Sequence, residues 1–110
     1  MISLFSCNKE PVPEDVVQLR VENQTRQNFL QVITSGESFD SVSALSTTSY
    51  RPFMKIISVP SAEIRTATDT VFAGLLIIDY PSFIESGKYT LQIVEDSSTH
   101  SGYNCIYRTD

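Results

Sequence analysis

The sequence contains a single histidine, His100, in the polar segment 96–102, DSSTHSG. Histidine is the commonest general base of enzymes because its pKa of about 6.5 lies close to neutral pH. A serine hydrolase would need His100 hydrogen-bonded to a nucleophile and oriented by an acid. Serines and Asp96 lie nearby in sequence, but neighbours on one loop are not a preorganised site. The sequence favours a solvated loop histidine, and we predict no catalytic residue.

A metal site is the second chemistry to consider, because Asp96, His100 and Cys105 carry the atoms that bind zinc. Their spacing matches none of the usual ligand patterns. The chain has only four glycines, so a glycine-rich loop that would cradle phosphate groups is also missing. We therefore predict no metal ligand and no cofactor.

The thiol of Cys7 has a more distinctive setting, since it follows Leu4, Phe5 and Ser6. This tetrapeptide resembles the lipobox of bacterial lipoproteins, in which the cysteine is lipidated and becomes the mature amino terminus. The small Ser6 would give the peptidase access to the bond. Residues 1–7 are too short for a complete signal peptide, so we interpret them as the remnant of one. The alternative is a chance cysteine in a frayed terminus.

The segment that follows, residues 8–15 (NKEPVPED), is polar and contains Pro11 and Pro13. Prolines favour extended backbone, so we predict a flexible polar tether between a lipid anchor and a single domain over 16–110. A lipid on Cys7 would make the membrane a partner and place the protein in the bacterial cell envelope, at the outer membrane. The longest apolar run, 75–78, is far shorter than the roughly 20 residues of a membrane-spanning helix.

Cys105 has three possible states: a buried structural thiol, a disulfide partner or a reactive thiol. Exported proteins normally avoid free reactive cysteines. A lipidated Cys7 could not pair with it, so we favour a buried, inert Cys105.

The composition describes one folded domain without a nucleic-acid partner. The chain has 110 residues, of which 41% are hydrophobic, and this is enough to bury a core. Its net charge is −5 and its basic residues are scattered, whereas nucleic-acid binding needs a basic patch. The abundance of Val, Ile, Thr and aromatic residues favours strands over helices.

The strongest strand signals lie in residues 71–95, where an apolar run at 75–78 and an alternating run at 88–94 flank a turn-rich corner. Further strands are predicted at 16–23, 28–34, 39–45, 48–53, 55–59, 62–68 and 103–108. About seven to nine short strands with frequent turns are typical of an all-β, antiparallel β-sandwich of immunoglobulin-like or transthyretin-like kind.

Several details can be tested against the structure. The short connection between 16–23 and 28–34 predicts an antiparallel pair. Residues 35–38, SGES, carry a turn signal, and Phe39 and Val42 are predicted to be partly buried. Ile64 is flanked by charges, which predicts a solvent-facing strand, and Tyr50 is predicted to point inward. Gly74 indicates a bulge or a close backbone approach.

Four short motifs, LRVENQT at 19–25, SYRPF at 49–53, DY at 79–80 and SGKYTL at 86–91, occur in an order that resembles one group of proteins. The group is that of small uncharacterised Bacteroidota-type lipoproteins with an immunoglobulin-like or transthyretin-like β-sandwich domain. The resemblance implies a fold and a location in the envelope, and it supplies no catalytic residue.

Asp40-Ser41-Val42 and Asp69-Thr70-Val71 resemble the acceptor of general O-glycosylation in the same bacteria. They predict Ser41 and Thr70 as glycosylation sites near turns. Chance occurrence of such short strings is the alternative.

Together these features lead us to expect a non-catalytic cell-envelope lipoprotein that acts as a binding or structural module. Tyr80 and Phe83, with Tyr50 and Phe53 nearby, could form a surface for an envelope protein or glycan, or could belong to the core. One alternative is an accessory subunit of a pilus or polysaccharide-uptake complex, recognised by β-strand addition. A second is a small hydrolase or metal-dependent enzyme around His100.

Overall fold

The computed structural model describes residues 16–74 and 82–110, which form β-strands joined by turns and loops. The strands are β1 (Val17–Asn23), β2 (Gln31–Thr34), β3 (Glu37–Phe39), β4 (Arg51–Phe53), β5 (Ile56–Ile57), β6 (Ser61–Arg65), β7 (Thr70–Gly74), β8 (Phe83–Ile84), β9 (Gly87–Glu95) and β10 (Tyr103–Thr109). No helix occurs within the described ranges. The predicted all-β class is confirmed, with ten strands instead of seven to nine because the two-residue β8 lies in the segment predicted as a turn-rich corner.

Two four-stranded sheets form the body of the β-sandwich. Sheet I has the order β10-β9-β1-β4, sheet II has the order β3-β2-β6-β7, and β5 and β8 make a small third sheet. All strand pairs are antiparallel except β1 and β9, which run parallel. The sequence did not predict this parallel pair, because parallel neighbours require a long crossover and no local turn marks them.

The alternation of side chains along β1 supplies the centre of the core. Val17, Leu19 and Val21 are fully buried, while the residues between them are partly exposed. On the neighbouring β9, Leu91 and Ile93 are also fully buried. Successive residues of a strand point to opposite faces, so one face of sheet I becomes continuous with the core. The predicted strands at 16–23 and 88–94 are confirmed.

The predicted pairing of β1 with β2 is wrong, because the two strands lie in different sheets. After β1 ends at Asn23, the chain crosses to sheet II, where β2 pairs with β3 and β6. The connection at 24–27, QTRQ, lacks the Asn-Gly or Gly-rich pair that a tight hairpin turn requires. A short connection in a sandwich can therefore join two sheets as readily as two paired strands.

A tight hairpin does form between β2 and β3. Ser35 and Gly36 have φ angles of 49° and 83°, and such positive values at both turn positions define a type I′ turn. The sequence signal for a turn at 35–38 is confirmed. Phe39 and Val42 beyond it are only 1% and 2% exposed, so they are more deeply buried than predicted.

The interpretation of the strand around Ile64 as solvent-facing is wrong. β6 lies between β2 and β7, and both Ala62 and Ile64 are buried in the core. The flanking charges of Glu63 and Arg65 occupy the opposite, outward face of the same strand. Charges next to an apolar residue therefore mark the alternation of a half-buried strand.

Gly74 ends β7 with a φ of 83°, in a region that other residues rarely adopt. A methyl group at this position would overlap the Pro60 carbonyl oxygen and come within 3.0 Å of the Cys105 sulfur. The predicted close backbone approach is confirmed. It brings the last residue of sheet II directly against β10 of sheet I.

The small β5–β8 sheet is attached to the sandwich through Tyr107 of β10. The Tyr107 hydroxyl donates a hydrogen bond of 2.7 Å to the Ile57 carbonyl. Burial raises the pKa of Tyr107 to about 12, so the hydroxyl remains a donor over the whole neutral range.

Within 16–74 and 82–110, no helix is long and apolar enough to cross a membrane. The predicted signal remnant at 1–7, the tether at 8–15 and the apolar run at 75–78 lie outside the described residues.

The buried side-chain amide of Asn23 links the end of β1 to the segment that follows β3. Asn23 is fully buried, and its Nδ2 group lies 2.8 Å from the Gln27 carbonyl and 3.2 Å from the Val42 carbonyl. Its Oδ1 atom accepts bonds from the backbone and hydroxyl of Thr25, at 2.9 and 2.8 Å. Without the amide, the buried Thr25 N–H would lose its acceptor, whereas the Val42 carbonyl would keep its bond from the Phe29 N–H and the Gln27 carbonyl its bond from the Thr25 hydroxyl.

Asn23→Ala is expected to lower the free energy of unfolding by about 3 kcal/mol, because all hydrogen bonds of the buried amide are lost together and the buried Thr25 N–H is left without an acceptor. Urea unfolding followed by circular dichroism measures this change. The matched control is Asn28→Ala, which removes one exposed bond of 2.9 Å to the Ala44 N–H and should cost about 1 kcal/mol. Equal losses in the two variants would show that the Asn23 network is not special.

Candidate binding cleft between β7 and the β9–β10 loop

An open cleft of about 770 Å³ runs along one side of the sandwich. β7 forms one wall, and residues 99–104 of the β9–β10 loop and early β10 form the other. The cleft lies where the edges of the two sheets meet, close to the contact between Gly74 and Cys105. Its volume falls within the usual range for small-molecule and peptide sites, which is about 300–1,000 Å³.

Hydrogen bonds within the loop set the position of the second wall. The Asp96 carboxylate accepts bonds from the Ser98 hydroxyl at 2.6 Å and the Ser98 N–H at 3.0 Å, which lowers the pKa of Asp96. Thr99 Oγ1 donates to the Tyr103 carbonyl at 3.0 Å. The loop is therefore a hydrogen-bonded turn in which the Asp96 carboxylate already accepts hydrogen bonds from Ser98.

His100 stands exposed on this wall. In the part of the chain that the structure describes, no hydrogen bond joins its ring to a hydroxyl or to a carboxylate. Asp96 is bonded to Ser98 and does not orient the imidazole. His100, Ser101 and Asp96 are brought near one another by sequence, but the fold does not assemble them into a triad.

The inner surface of the cleft is apolar and its rim is polar. Tyr103 is half-buried and packs edge-on against Phe29, with ring centroids 5.7 Å apart. Burial raises the pKa of Tyr103. Val71 packs against the same core, while Thr70 and Asn104 add a hydroxyl and an amide. The described lining contains no Asp, Glu, Lys or Arg side chain, so the cleft suits an uncharged ligand.

The Cys105 thiol lies behind this cleft and is 4% exposed. Burial raises its pKa to about 12. A thiol with such a pKa is protonated at neutral pH and is a poor nucleophile or metal ligand. The preferred interpretation of Cys105 as a buried, inert thiol agrees with this environment.

Metal binding finds no support in residues 16–74 and 82–110. These ranges contain no group of three His, Cys, Asp or Glu side chains arranged to hold an ion.

The predicted aromatic surface is not assembled as expected. Phe53 is only 5% exposed and stacks on Phe39, so of the two alternatives, partner surface or core, it belongs to the core. Phe83 is 40% exposed, with the Lys55 ammonium 4.1 Å from its ring centroid. Tyr80, the other residue of the proposed pair, lies outside the described residues.

The predicted modification sites are distributed over the surface. Ser41 is exposed in the segment between β3 and β4, and Thr70 is exposed as the first residue of β7, beside the cleft. Their hydroxyls are accessible, and glycosylation remains a prediction. Cys7, the predicted lipidation site, lies outside the described residues.

A polar cluster on the outer face of sheet I was missed by sequence reasoning. Thr90 is fully buried at its centre and accepts hydrogen bonds from Arg20 at 2.9 Å and Arg108 at 3.1 Å. It donates to the Asp110 carboxylate at 2.6 Å, and Tyr50 donates to the same oxygen at 2.6 Å. Tyr50 was predicted to point inward, but it joins this surface cluster, with the Arg20 guanidinium 4.6 Å from its ring.

Only the strand register reveals this cluster, because its members are far apart in sequence. Thr90 of β9 lies opposite Arg20 of β1 on one side and opposite Arg108 of β10 on the other. The groups satisfy one another, so the cluster stabilises the sheet and leaves no open binding position.

The cluster shifts the titration of Asp110. Partial desolvation acts to raise the pKa of Asp110, but hydrogen bonds from Thr90, Tyr50 and Arg108 outweigh it and hold the pKa far below its usual value. A carboxylate with a lowered folded-state pKa contributes stability that is present above its unfolded pKa of about 3.9. That contribution is lost as the pH falls toward the folded-state value.

No protein-family model matches this chain, and no curated protein matches it.

Asp110→Asn is expected to reduce the loss of stability on acidification, because the variant lacks the carboxylate whose protonation breaks the cluster. Urea midpoints at pH 7 and pH 3 should differ more in the unmodified protein than in Asp110→Asn. Asp40→Asn is the control, since the Asp40 side chain is 93% exposed in its weak pair with Arg51. An acid loss that is the same in all three proteins would contradict the linkage.

Proposed function

We propose that this protein is a non-catalytic, lipid-anchored module of the bacterial cell envelope, and that it binds an envelope protein or glycan through the cleft between β7 and the β9–β10 loop. The single observation that carries the binding role is the cleft itself, with its apolar inner surface and uncharged polar rim. The chain would be held at the outer membrane by a lipid on Cys7, either facing the periplasm or exposed at the surface.

The lipid anchor is supported by the tetrapeptide that ends at Cys7 and by the proline-containing segment 8–15 that follows it. A thioether-linked diacylglycerol with an additional acyl chain supplies several acyl tails, each contributing about 0.8 kcal/mol per buried methylene. The remaining cysteine, Cys105, is buried and protonated, so it does not compete for lipidation. The two thiols would thus have separate roles.

The chemistry around His100 supports binding better than hydrolysis. Within the described ranges, neither a carboxylate nor a hydroxyl is hydrogen-bonded to the imidazole. The acid nearest in sequence, Asp96, has its carboxylate bonded to Ser98. The alternative of a small hydrolase or metal-dependent enzyme at His100 therefore lacks a second catalytic group among these residues.

A second candidate function is that of an accessory subunit of a pilus or polysaccharide-uptake complex. The observation that favours it is the course of the cleft, which follows an edge strand of sheet II along Thr70–Gly74. An edge strand beside a groove is a common way to hold an extended segment of another protein.

Cys7→Ala is expected to abolish incorporation of labelled palmitate into the protein when its gene is expressed in bacteria with the natural upstream sequence. The protein should then leave the membrane fraction. Cys105→Ala is the matched control and should retain both the label and the membrane location. Label that persists in Cys7→Ala, or that never appears in the unmodified protein, would remove the lipid anchor from the proposal.

A photo-crosslinking amino acid in place of His100 is expected to capture an envelope component in living cells, because His100 stands exposed on the cleft wall. The same amino acid in place of Leu45, which is 74% exposed in the segment between β3 and β4, is the control and should capture little. Mass spectrometry of the adducts separates protein from glycan. Equal capture at both positions would argue against the cleft as the binding site.

A further inference from the structure

The two sheets have four edge strands, β4 and β10 in sheet I and β3 and β7 in sheet II. An edge strand directs every second N–H and C=O away from its neighbour, and an unprotected edge is a template for pairing with another chain. The four edges of this protein are protected very unequally.

Two edges are closed by single residues. β4 contains Pro52, which has no N–H to offer to an added strand. β3 is three residues long, and its outward-facing Ser38 carbonyl already accepts a bond of 2.5 Å from the Arg51 guanidinium. The Arg51 side chain continues over the Phe39 ring, 4.8 Å from its centroid, and covers this edge.

The edge of β10 is closed by its own side chains where it borders the cleft. A ladder bond of 2.8 Å from the Asp96 N–H to the Gly102 carbonyl fixes the alternation between β9 and β10. Hydrogen-bonded and non-hydrogen-bonded pairs alternate in an antiparallel ladder. Tyr103 and Cys105 therefore direct their backbone groups away from β9 and toward the free edge.

Three of those four outward groups are bonded to nearby side chains of the loop and of β10. The Tyr103 carbonyl accepts bonds from Thr99 at 3.0 Å and Ser101 at 3.1 Å, and its N–H donates to Ser101 at 3.3 Å. The Cys105 N–H donates to the Asn104 side chain at 2.9 Å. An incoming strand would have to displace these bonds to pair with β10.

β7 is different, because its outward groups have no such partners in the described structure. The bond of 2.8 Å from the Thr66 N–H to the Asp69 carbonyl fixes the alternation of the β6–β7 hairpin. Val71 is then bonded to β6, whereas Thr70 and Phe72 direct their N–H and C=O groups into the cleft. No hydrogen bond from residues 16–74 or 82–110 reaches these four groups.

β7 also lacks the other devices that protect natural edges. Its sequence, TVFAG, contains no charge and no proline, and its Phe72 side chain is 44% exposed. Charged residues, prolines and very short strands are the usual means of preventing strand pairing. The other three edges use a proline, an arginine or side-chain caps, so the open edge of β7 stands out.

We propose that β7 is a strand-addition site, at which an extended, uncharged segment of another protein pairs with Thr70 and Phe72 inside the cleft. This inference deepens the proposed binding role and does not depend on the lipid anchor. The added strand would form up to four backbone hydrogen bonds with these two residues. Its inward side chains would meet Val71 and Tyr103, which favours small or apolar residues at alternate positions.

The surroundings of the edge select this occupant. Residues 99–104 stand opposite β7, so the site is a cleft, which fits one extended segment better than the edge of a second folded copy. The uncharged lining would leave a charged peptide partly desolvated and unpaired. The chain's own segment 8–15 is poorly suited, because it contains Pro11, Pro13 and three acidic residues.

Amide hydrogen exchange on the full chain, followed by NMR, gives the first test. In the free protein, the Phe72 amide should exchange at least about 100-fold faster than the Val71 amide, although both lie on the same strand. A capped hexapeptide of alternating Thr and Val should slow exchange at Phe72. The same peptide with N-methyl groups on alternate residues cannot donate backbone hydrogen bonds along one of its edges, so it should bind more weakly.

Two substitutions at one position separate backbone pairing from side-chain recognition. Phe72→Pro removes the outward N–H, which the β6 ladder does not use, and should weaken peptide affinity at least about tenfold. Phe72→Thr keeps the N–H and a strand-forming residue, and should bind within about threefold of the unmodified protein. If Phe72→Pro does not fold, Thr70→Pro removes another outward N–H at the start of the strand.

Four results would overturn the inference. They are slow exchange at Phe72 in the free protein, equal binding of the N-methylated peptide, equal affinity of the Pro and Thr variants, and protection of Phe72 that rises with protein concentration alone. The last would show that a second copy occupies the edge. If Phe72→Pro does not reduce crosslinking at position 100, strand addition is contradicted. The proposed binding role of the cleft would still be supported.

Discussion

Backbone hydrogen-bonding groups at the edges of a sheet need partners, and this requirement shapes the whole surface of the protein. Sheet I ends on β4, with its Pro52, and on β10, where the outward groups of Tyr103 and the Cys105 N–H beside the cleft are bonded to nearby hydroxyls and an amide. Sheet II ends on β3, which Arg51 covers, and on β7, which remains open to the cleft. Among the described residues, β7 therefore presents outward backbone groups without partners beside the cleft, and this is the basis of the proposed binding mode.

The cleft lies beside the contact between β7 and β10, where the edges of the two sheets meet. Gly74 permits that contact, since any side chain there would overlap the Pro60 carbonyl. The Cys105 thiol fills the space beside it and is buried for the same reason. The absence of a side chain at Gly74 thus allows β7 to approach β10 closely. This approach places residues 99–104 opposite the edge of β7.

The outer face of sheet I differs from the cleft, because its polar groups form hydrogen bonds with one another. Thr90 and Asp110 share their hydrogen bonds with Arg20 and Arg108, so charged side chains on this face hold the strands together. Although this face carries more charge than the cleft, it has fewer groups left for a ligand. Exposure and charge alone would have favoured this face over the cleft that we propose as the binding site.

The sequence by itself determined the all-β class, the alternation of β1 and β9, the turn at Ser35 and Gly36, and the close approach at Gly74. These are local consequences of side-chain period and backbone freedom, and neighbouring residues are enough to encode them. The tertiary structure decided the rest. It placed β1 and β2 in different sheets, made β1 and β9 parallel, buried Ile64 and brought Thr90 between two arginines. Strand order and register depend on contacts between residues far apart in the chain. The sequence alone therefore does not show that β7 is an edge strand beside a cleft.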